Sequence, residues 1–367
     1  MKLADIIRTL EEIAPPEYAK PGDKIGLQIG DPAGDISRVV VTVDVTPVIV
    51  SEAIRRSADL IIAHHPLIYE PLPSVRLDAY PQSLVYLLVN AGVGLYVMHT
   101  NFDAAPNGIN DVLAERLGVI DTKVLEPIFV GKLFKLVTFV PGEAVDTVRE
   151  ALAETGAGVI GNYTHCSFQS PGTGTFRPGA GAQPYTGIVG ELSKEPEFRL
   201  EMIVDERHLH DAVSAMIDAH PYEEVAYDVY PLQNRGEMFG LGKYGRLKSP
   251  MTFDGFCEMV RDMLEVDDIR ISGDLQSEVE TVALLGGGGG SRVALAHSKG
   301  VDVYVTGDVN HHQFVEARAL GLNVVDATHF HTERPGMIAL APRLYELLSE
   351  EGITVEYIDD LTCGTTW

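Results

Sequence analysis

One order of segments occurs twice in this chain, and it constrains the fold more than any other feature. "RVVVTVDV" (38–45), "DLIIAHHP" (59–66) and "GLYVMHTNFD" (94–103) are short apolar runs of strand length. Between them "PVIVSEAIRRSA" (47–58) and "SLVYLLVNAG" (83–92) read as helices. Strands alternating with helices predict a parallel sheet covered by helices, a βαβαβ unit of an α/β protein. The order returns as strand "TVALLGGGGG" (281–290), helix "SRVALAHSKG" (291–300), strand "DVYVTGDV" (302–309), helix "HHQFVEARAL" (311–320) and strand "NVVDATHFHTE" (323–333). Asp59 and Asp302 both open the second strand of their copy. A histidine pair follows each, His64-His65 directly and His311-His312 after a turn. The third strands end in His99-x-x-x-Asp103 and His329-x-x-x-Glu333. We read two diverged copies of one unit.

The segment between the copies is of another kind. "KLFKLVTFVP" (132–141), "EFRLEMIVDE" (197–206) and "EVAYDVYPL" (224–232) read as strands, and "AVDTVREALAETGA" (144–157) and "HLHDAVSAMIDAH" (208–220) as helices. The stretch 161–187 is rich in Gly, Pro and Ser, which predicts an exposed loop with at most one further strand at "THCSFQS". The order is that of a ferredoxin-like α+β domain. A chain of 367 residues exceeds one ordinary core, and we divide it into a first half of a metal-binding core (1–125), the insert (126–235) and the second half (236–367).

A formal charge of −25 argues against a nucleic-acid groove, which needs clustered Lys and Arg. It leaves room for a small anionic ligand, because a bound metal supplies strong local positive charge. The first residues, "MKLADIIRTLEEIAPPEYAK", form an amphipathic helix and not a signal peptide, and no apolar run approaches a membrane span. Cys166, Cys257 and Cys363 lack the paired spacing of a disulfide framework or zinc ribbon, so a reducing cytoplasm is the expected setting.

Ligands of open parallel sheets bind at the carboxyl ends of the strands. His64, His65, His99, Asp103, His311, His312, His329, His331 and Glu333 all fall at or just past such ends. Imidazoles and carboxylates suit divalent transition metals, and more than four donors in one place point to two ions bridged by a carboxylate. Each residue also has a plainer reading. His64-His65 alone suits a loop with one ring bonded to backbone. Asp103 suits a turn or helix cap before "APNGIND", and Glu333 the first turn of helix "ERPGMIALAPRLYELLSE", where Pro335 is tolerated. Recurrence in both halves favours ligands. His99, His311, His312 and His331 are candidates to orient those ligands or to face substrate.

Three further stretches carry residues of this kind. In "LLGGGGGSRVALA" (284–296), Gly288, Gly289 and Ser291 suit either a backbone cradle for phosphate or a tight turn beside the metals; the run is no Walker A loop. Asp23 and Gly26 read as structural, and His220, Glu223 and Glu224 as a helix end with a solvated acidic turn.

At "IIAHHPLIY", "HTNFDAAPNGIND", "LLGGGGGS", "TGDVNHH" and "HFHTERPGM" the chain resembles the NIF-three-like family of dinuclear metal centre proteins, the GTP cyclohydrolase I type 2 homologues. The resemblance spans essentially the whole chain and is to the longer bacterial form, whose insert is similar to small ferredoxin-like signalling and metal-tolerance proteins. It implies that His64, His65, Asp103, His329 and Glu333 ligate two divalent metal ions per subunit, with Glu333 bridging. It also implies a toroidal homo-hexamer with the sites facing an internal cavity. Zinc, iron, manganese, nickel and cobalt all suit these ligands. His331 departs from the family pattern. The cyclohydrolase name implies hydrolytic opening of the guanine imidazole ring; the residues themselves speak for hydrolysis of a nucleotide or other phosphorylated small molecule. Glu333 and a proton carrier, His99 or His312, would be the catalytic groups, with the glycine loop as a phosphate grip. The alternative is a non-catalytic metal-binding or metal-sensing regulatory protein.

Overall fold

The computed structural model describes residues 1–361, so Cys363 lies outside it; Cys166 and Cys257 are free thiols. Two compact units divide the chain: Met1–Phe129 with the chain from Phe239 onward, and Val130–Met238.

The first unit opens with α1 (Leu3–Ile13), β1 (Gly26–Ile29), β2 (Arg38–Thr42), α2 (Pro47–Arg55), β3 (Leu60–Ala63), α3 (Gln82–Ala91), β4 (Gly94–Val97), α4 (Thr100–Ala104) and α5 (Ile109–Arg116), then β5 (Val119–Pro141), which runs into the second unit. Helix α2 starts as its sequence dictates: Thr46 accepts the Ile49 N–H, and Pro47 takes the position where no amide hydrogen is needed. Strands β2, β3 and β4 are parallel, in register from Val39–Leu60–Gly94 to Thr42–Ala63–Val97. Successive side chains point to opposite faces, which sorts the apolar run into two cores. Val39, Val41, Leu60, Ile62 and Tyr96 pack with the buried stripe of α1; Val40, Ile61, Ala63, Leu95 and Val97 pack with Ile49, Val50 and Ala53 of α2 and Leu84, Val85 and Leu88 of α3.

The second unit contains α6 (Val145–Glu154), β6 (Ser167–Phe176), β7 (Ser193–Asp205), α7 (Leu209–Ala219) and the first part of β8 (Tyr227–Thr252). With β5 this is β-α-β-β-α-β in the sheet order β6-β7-β5-β8, the ferredoxin-like arrangement. Leu136, Val140, Val148, Leu152, Leu200, Met202, Val204, Ala212 and Met216 form its core. The Gly/Pro-rich stretch is less of a loop than its composition suggests. Ser167–Phe176 pairs antiparallel with β7 from Ser167–Met202 to Phe176–Ser193. Backbone pairing supplies the order, and an edge position tolerates Pro171 and the glycines.

The chain returns to the first unit through α8 (Phe253–Leu264), β9 (Arg270–Ser272), β10 (Glu278–Gly288), α9 (Val293–Ser298), β11 (Val303–Gly307), α10 (His311–Leu320), β12 (Asn323–Asp326), α11 (His329–Leu348) and β13 (Thr354–Tyr357). Strands β10, β11 and β12 are parallel, with β8 and β9 antiparallel beside them. Here too alternate residues part: Val282, Leu284, Val303, Val305 and Val325 pack with α8, and Ala283, Leu285, Tyr304 and Val324 with α9 and α10. The paired aspartates act alike in the two copies. Asp59 accepts the N–H groups of Ser37 and Arg38 at 2.7 and 2.9 Å, and Asp302 those of Glu280 and Thr281 at 3.0 and 2.7 Å.

Two expectations about element ends change. Strands β4 and β12 stop at Val97 and Asp326, so His99–Asp103 and His329–Glu333 begin helices instead of ending strands. Pro335 therefore lies inside α11, beyond its first turn. The chain after β12 also leaves the sheet of its own half. Met337, Leu340, Ala341, Leu344 and Leu348 of α11 enter the core of α1, and β13 pairs parallel with β2. Close contact between α11 and α5 depends on Gly336, where an added Cβ would lie 2.6 Å from Ile109 Cδ1 and 2.8 Å from its Cα. Gly336→Ala should thus cost about 1–3 kcal/mol by overpacking, read as a lower urea midpoint at unchanged slope. Among the described residues no helix is long and apolar enough to cross a membrane.

Candidate metal centre

Three chain segments converge at the carboxyl ends of the strands of the first unit. His64 and His65 follow β3 directly, their N–H groups donated to the carbonyls that end β2. His99 and Asp103 lie one helical turn apart at the start of α4, and His329 and Glu333 one turn apart at the start of α11. The i,i+4 spacing puts each pair on one helix face. His329 Nε2 is 3.1 Å from Glu333 Oε1.

Every imidazole of the cluster is held from outside through Nδ1. His64 Nδ1 pairs with the Met98 carbonyl at 2.8 Å, His65 Nδ1 with Asp44 at 2.8 Å, His99 Nδ1 with Asp23 at 2.8 Å and His329 Nδ1 with Asp308 at 2.6 Å. An acceptor at Nδ1 places the proton there and leaves the Nε2 lone pair facing inward, the tautomer and orientation of a metal ligand. Asp23 is itself fixed by the Lys24 N–H at 2.8 Å, the Thr100 N–H at 3.1 Å and the Thr100 hydroxyl.

Glu333 sits at the centre and is 3 % exposed. Its Oε1 lies 3.4 Å from His64 Nε2, and its Oε2 3.1 Å from His65 Nε2. His64 Nε2 is also 3.6 Å from Asp103 Oδ1. His64 Nε2, Asp103 Oδ1 and Glu333 Oε2 are all buried without a hydrogen-bond partner. Buried polar atoms left unpaired cost on the order of 1–3 kcal/mol each, more when charged. Inward lone pairs together with orphaned carboxylate oxygens fit a cation. Two groups have ligand atoms close enough for one: His64, His65 and His99, and His65, His329 and Glu333.

The family model "Duf34/NIF3 (NGG1p interacting factor 3)" matches residues 1–361. The chain belongs to the Duf34/NIF3 family. A GTP cyclohydrolase 1 type 2 homolog of Bacillus subtilis (strain 168) is 45% identical over 325 residues, 89% of this chain and 87% of that protein. Its counterpart in Halalkalibacterium halodurans is 42% identical over 361 residues, 98% and 97% of the two chains. The crystal structure of a Bacillus cereus protein related to NIF3 superposes with a TM-score of 0.93 at 41% identity, covering 100% of this chain and 99% of that one.

In this Duf34/NIF3 chain the structure gathers His64, His65, His99, Asp103, His329 and Glu333, and leaves other candidates outside. His331 is on the far side of α11 with its Nδ1 on the Thr328 hydroxyl at 2.7 Å. On a strand, 329, 331 and 333 would share a face; on a helix, 331 turns away. His311 and His312 open α10, exposed and set edge to face with each other, and no described contact ties them to the cluster. The glycine run serves close approach. A Cβ on Gly287 would overlap Glu333 Oε1, and one on Gly289 would overlap Thr306 and Tyr304. The Gly286, Gly287 and Gly289 N–H groups are donated to Asn110, Thr332 and the Gly287 carbonyl. Asn110 also donates to the Asp103 carbonyl, which ties α4 to that run.

Sequence reasoning missed the carboxylates behind the rings. Asp23 reads as structural in the sequence but braces His99; Asp44 and Asp308 carry one available signal, since each ends or follows a strand of one copy. His220 is a structural residue: its Nδ1 accepts the Tyr222 N–H at 3.1 Å and its Nε2 donates to the Phe139 carbonyl at 3.1 Å. Thr328, the cap of α11, has φ +65°, a region β-branched residues rarely adopt. Asp326 accepts its N–H and Thr332 donates to its carbonyl, both at 3.0 Å, so the turn that aims His329 is over-determined.

Without a cation the cluster holds protons. Burial opposes charge on Glu333, but the His65 and His64 charges and the His329 hydrogen bond outweigh it and hold its carboxyl well below the usual range. Burial likewise opposes charge on His65, yet the Glu333 charge and the Asp44 hydrogen bond push it up to about 11. His329 rises to about 9, its hydrogen bond to Glu333 and that carboxylate's charge outweighing burial. Burial raises Asp103. His64 is raised as well, the Glu333 charge outweighing burial, so at neutral pH the metal-free site carries protons on its imidazoles that a cation must displace. Zn²⁺ loading at pH 7 should release protons and tighten as pH rises toward 9. Calorimetry in buffers of different ionisation enthalpy measures this; loading with no proton release would place the metal elsewhere.

Proposed function

We propose that the centre holds two divalent ions and that the protein is a metal-dependent hydrolase of a nucleotide or another phosphorylated small molecule. The observation that carries this reading is the position of Glu333: one oxygen faces His64 and His329, the other faces His65, and the carboxylate is buried among them. That position suits a carboxylate shared between two ions, with His64, His65, Asp103 and His329 as the other residues that would hold them. A pair of ions held so acidifies water and polarises a substrate oxygen. His99, braced by Asp23 and partly exposed, is the group we assign to hold and move a proton at the substrate. His312, the other candidate carrier, is exposed on α10, so the assignment rests on His99.

Solvent reaches one side only. His329 keeps 36% of its side-chain exposure and His99 21%, whereas His64 and Glu333 keep 0% and 3%. An accessible edge over a sealed floor favours a substrate-facing site over a purely structural one. The relatives' name makes GTP the first compound to test. Metal-loaded protein should turn over GTP or another member of a nucleotide and sugar-phosphate panel, and Glu333→Gln should lower kcat by at least about a hundredfold, the scale of lost electrostatic stabilisation. A rate unchanged in Glu333→Gln, followed by product chromatography, would sink the reading.

We further propose that the chain works in the cytoplasm as a homo-hexamer without nucleic-acid or membrane partners. What supports self-association is a set of exposed apolar residues in the first unit, with Tyr69, Val75, Leu77, Tyr80, Tyr86 and Val89 all more than a third exposed. Clusters of this kind mark contact surfaces. Light scattering should find six chains per particle, and Leu77→Glu with Val89→Glu should break it into smaller species with the secondary structure intact.

A further inference from the structure

The second unit has a cavity of its own, with a volume of about 740 Å³, lined by residues between Phe139 and Ala226. Ligand sites fall in this size range and combine apolar walls with a few placed polar groups. Phe139, Phe176, Tyr185 and Tyr222 supply aromatic walls, with the Phe176 and Tyr185 rings 6.2 and 6.0 Å from that of Tyr222. His220 fixes Tyr222 from behind through the Tyr222 N–H.

Among the lining residues Glu197 stands apart, because it is a carboxylate only 8% exposed. The Tyr222 hydroxyl donates to its Oε1 at 2.8 Å. Its Oε2 takes no described hydrogen bond, and among the described residues no basic side chain pairs with it. Gly174 stands opposite that oxygen: a Cβ there would overlap Oε2, so the glycine leaves room for the carboxylate. Two further carboxylates, Glu223 and Glu224, line the cavity against Arg177 and Arg199, and Arg199 is already paired with Glu201 at 2.7 Å. A buried carboxylate with a spare acceptor, framed by π faces in an acidic surround, selects a positively charged donor.

The geometry points to a small-molecule site in the second unit for an organic cation of the amine or amidine class, held by Glu197 and enclosed by Tyr185, Tyr222 and Phe176. The site uses no residue of the metal centre and stands independently of the hydrolase reading.

Benzamidinium, neutral benzamide and anionic benzoate share one ring and differ in charge, so calorimetry of the full chain with each tests the assignment. Benzamidinium should bind saturably at one site per chain and the other two should not. Glu197→Gln should weaken it by roughly tenfold or more, about 1.4 kcal/mol. Tyr185 is 55% exposed, so Tyr185→Ala removes a wall without disturbing the core and serves if Glu197→Gln fails to fold. Metal content should be the same in both variants. Benzamide or benzoate binding as tightly as benzamidinium, benzamidinium binding that neither variant weakens, or no binding at millimolar concentration would each overturn the proposal.

Discussion

Glu333 can be buried as a carboxylate only while positive or proton-donating groups surround it, because removing an isolated charge from water costs several kcal/mol. The structure meets that condition with imidazoles from three segments far apart in sequence. The condition in turn requires α11 to start on the sheet of one half and bury itself in the core of the other. Helix α11 leaves β12, presents His329 and Glu333 in its first turns, and then packs Met337, Leu340 and Leu344 against the core of α1. Strand β13 closes the same exchange by pairing with β2. Two similar layers thereby become one unit with a polar centre.

Around that centre the chain spends conformational freedom to hold the rings. Each of Asp23, Asp44 and Asp308 and the Met98 carbonyl fixes one Nδ1, so the Nε2 atoms are pre-aimed before anything binds. Glycines at 287 and 307 let backbone come within reach of the site. At Gly307 an added Cβ would lie 2.5 Å from the His329 nitrogen. The glycine run thus reads more naturally as space for Glu333 and His329 than as a phosphate loop.

The insert follows a different logic. Its core is small, its edge strand is polar and glycine-rich, and its one deeply set carboxylate faces a cavity of aromatic rings. Neither the fold nor the burial of Glu197 needs the metal centre.

The alternation of apolar runs with amphipathic helices, the repeated strand order and the residue types of the cluster were legible in the sequence, because periodicity and donor chemistry are local properties. The His-x-x-x-carboxylate spacing was visible as well, but its meaning was not: read as strands, residues 329, 331 and 333 would share a face, and only the capped turn at Thr328 shows a helix that keeps 329 and 333 and rejects 331. The roles of Asp23, Asp44 and Asp308 could not be read from composition, since a carboxylate beside an imidazole 21 to 76 residues away is a fact of packing. The sequence by itself determined which side chains were available and which elements would carry them. Tertiary structure alone decided which of them meet, because the choice depends on α11 crossing into the other half's core and on glycines that let the backbone close around one buried carboxylate.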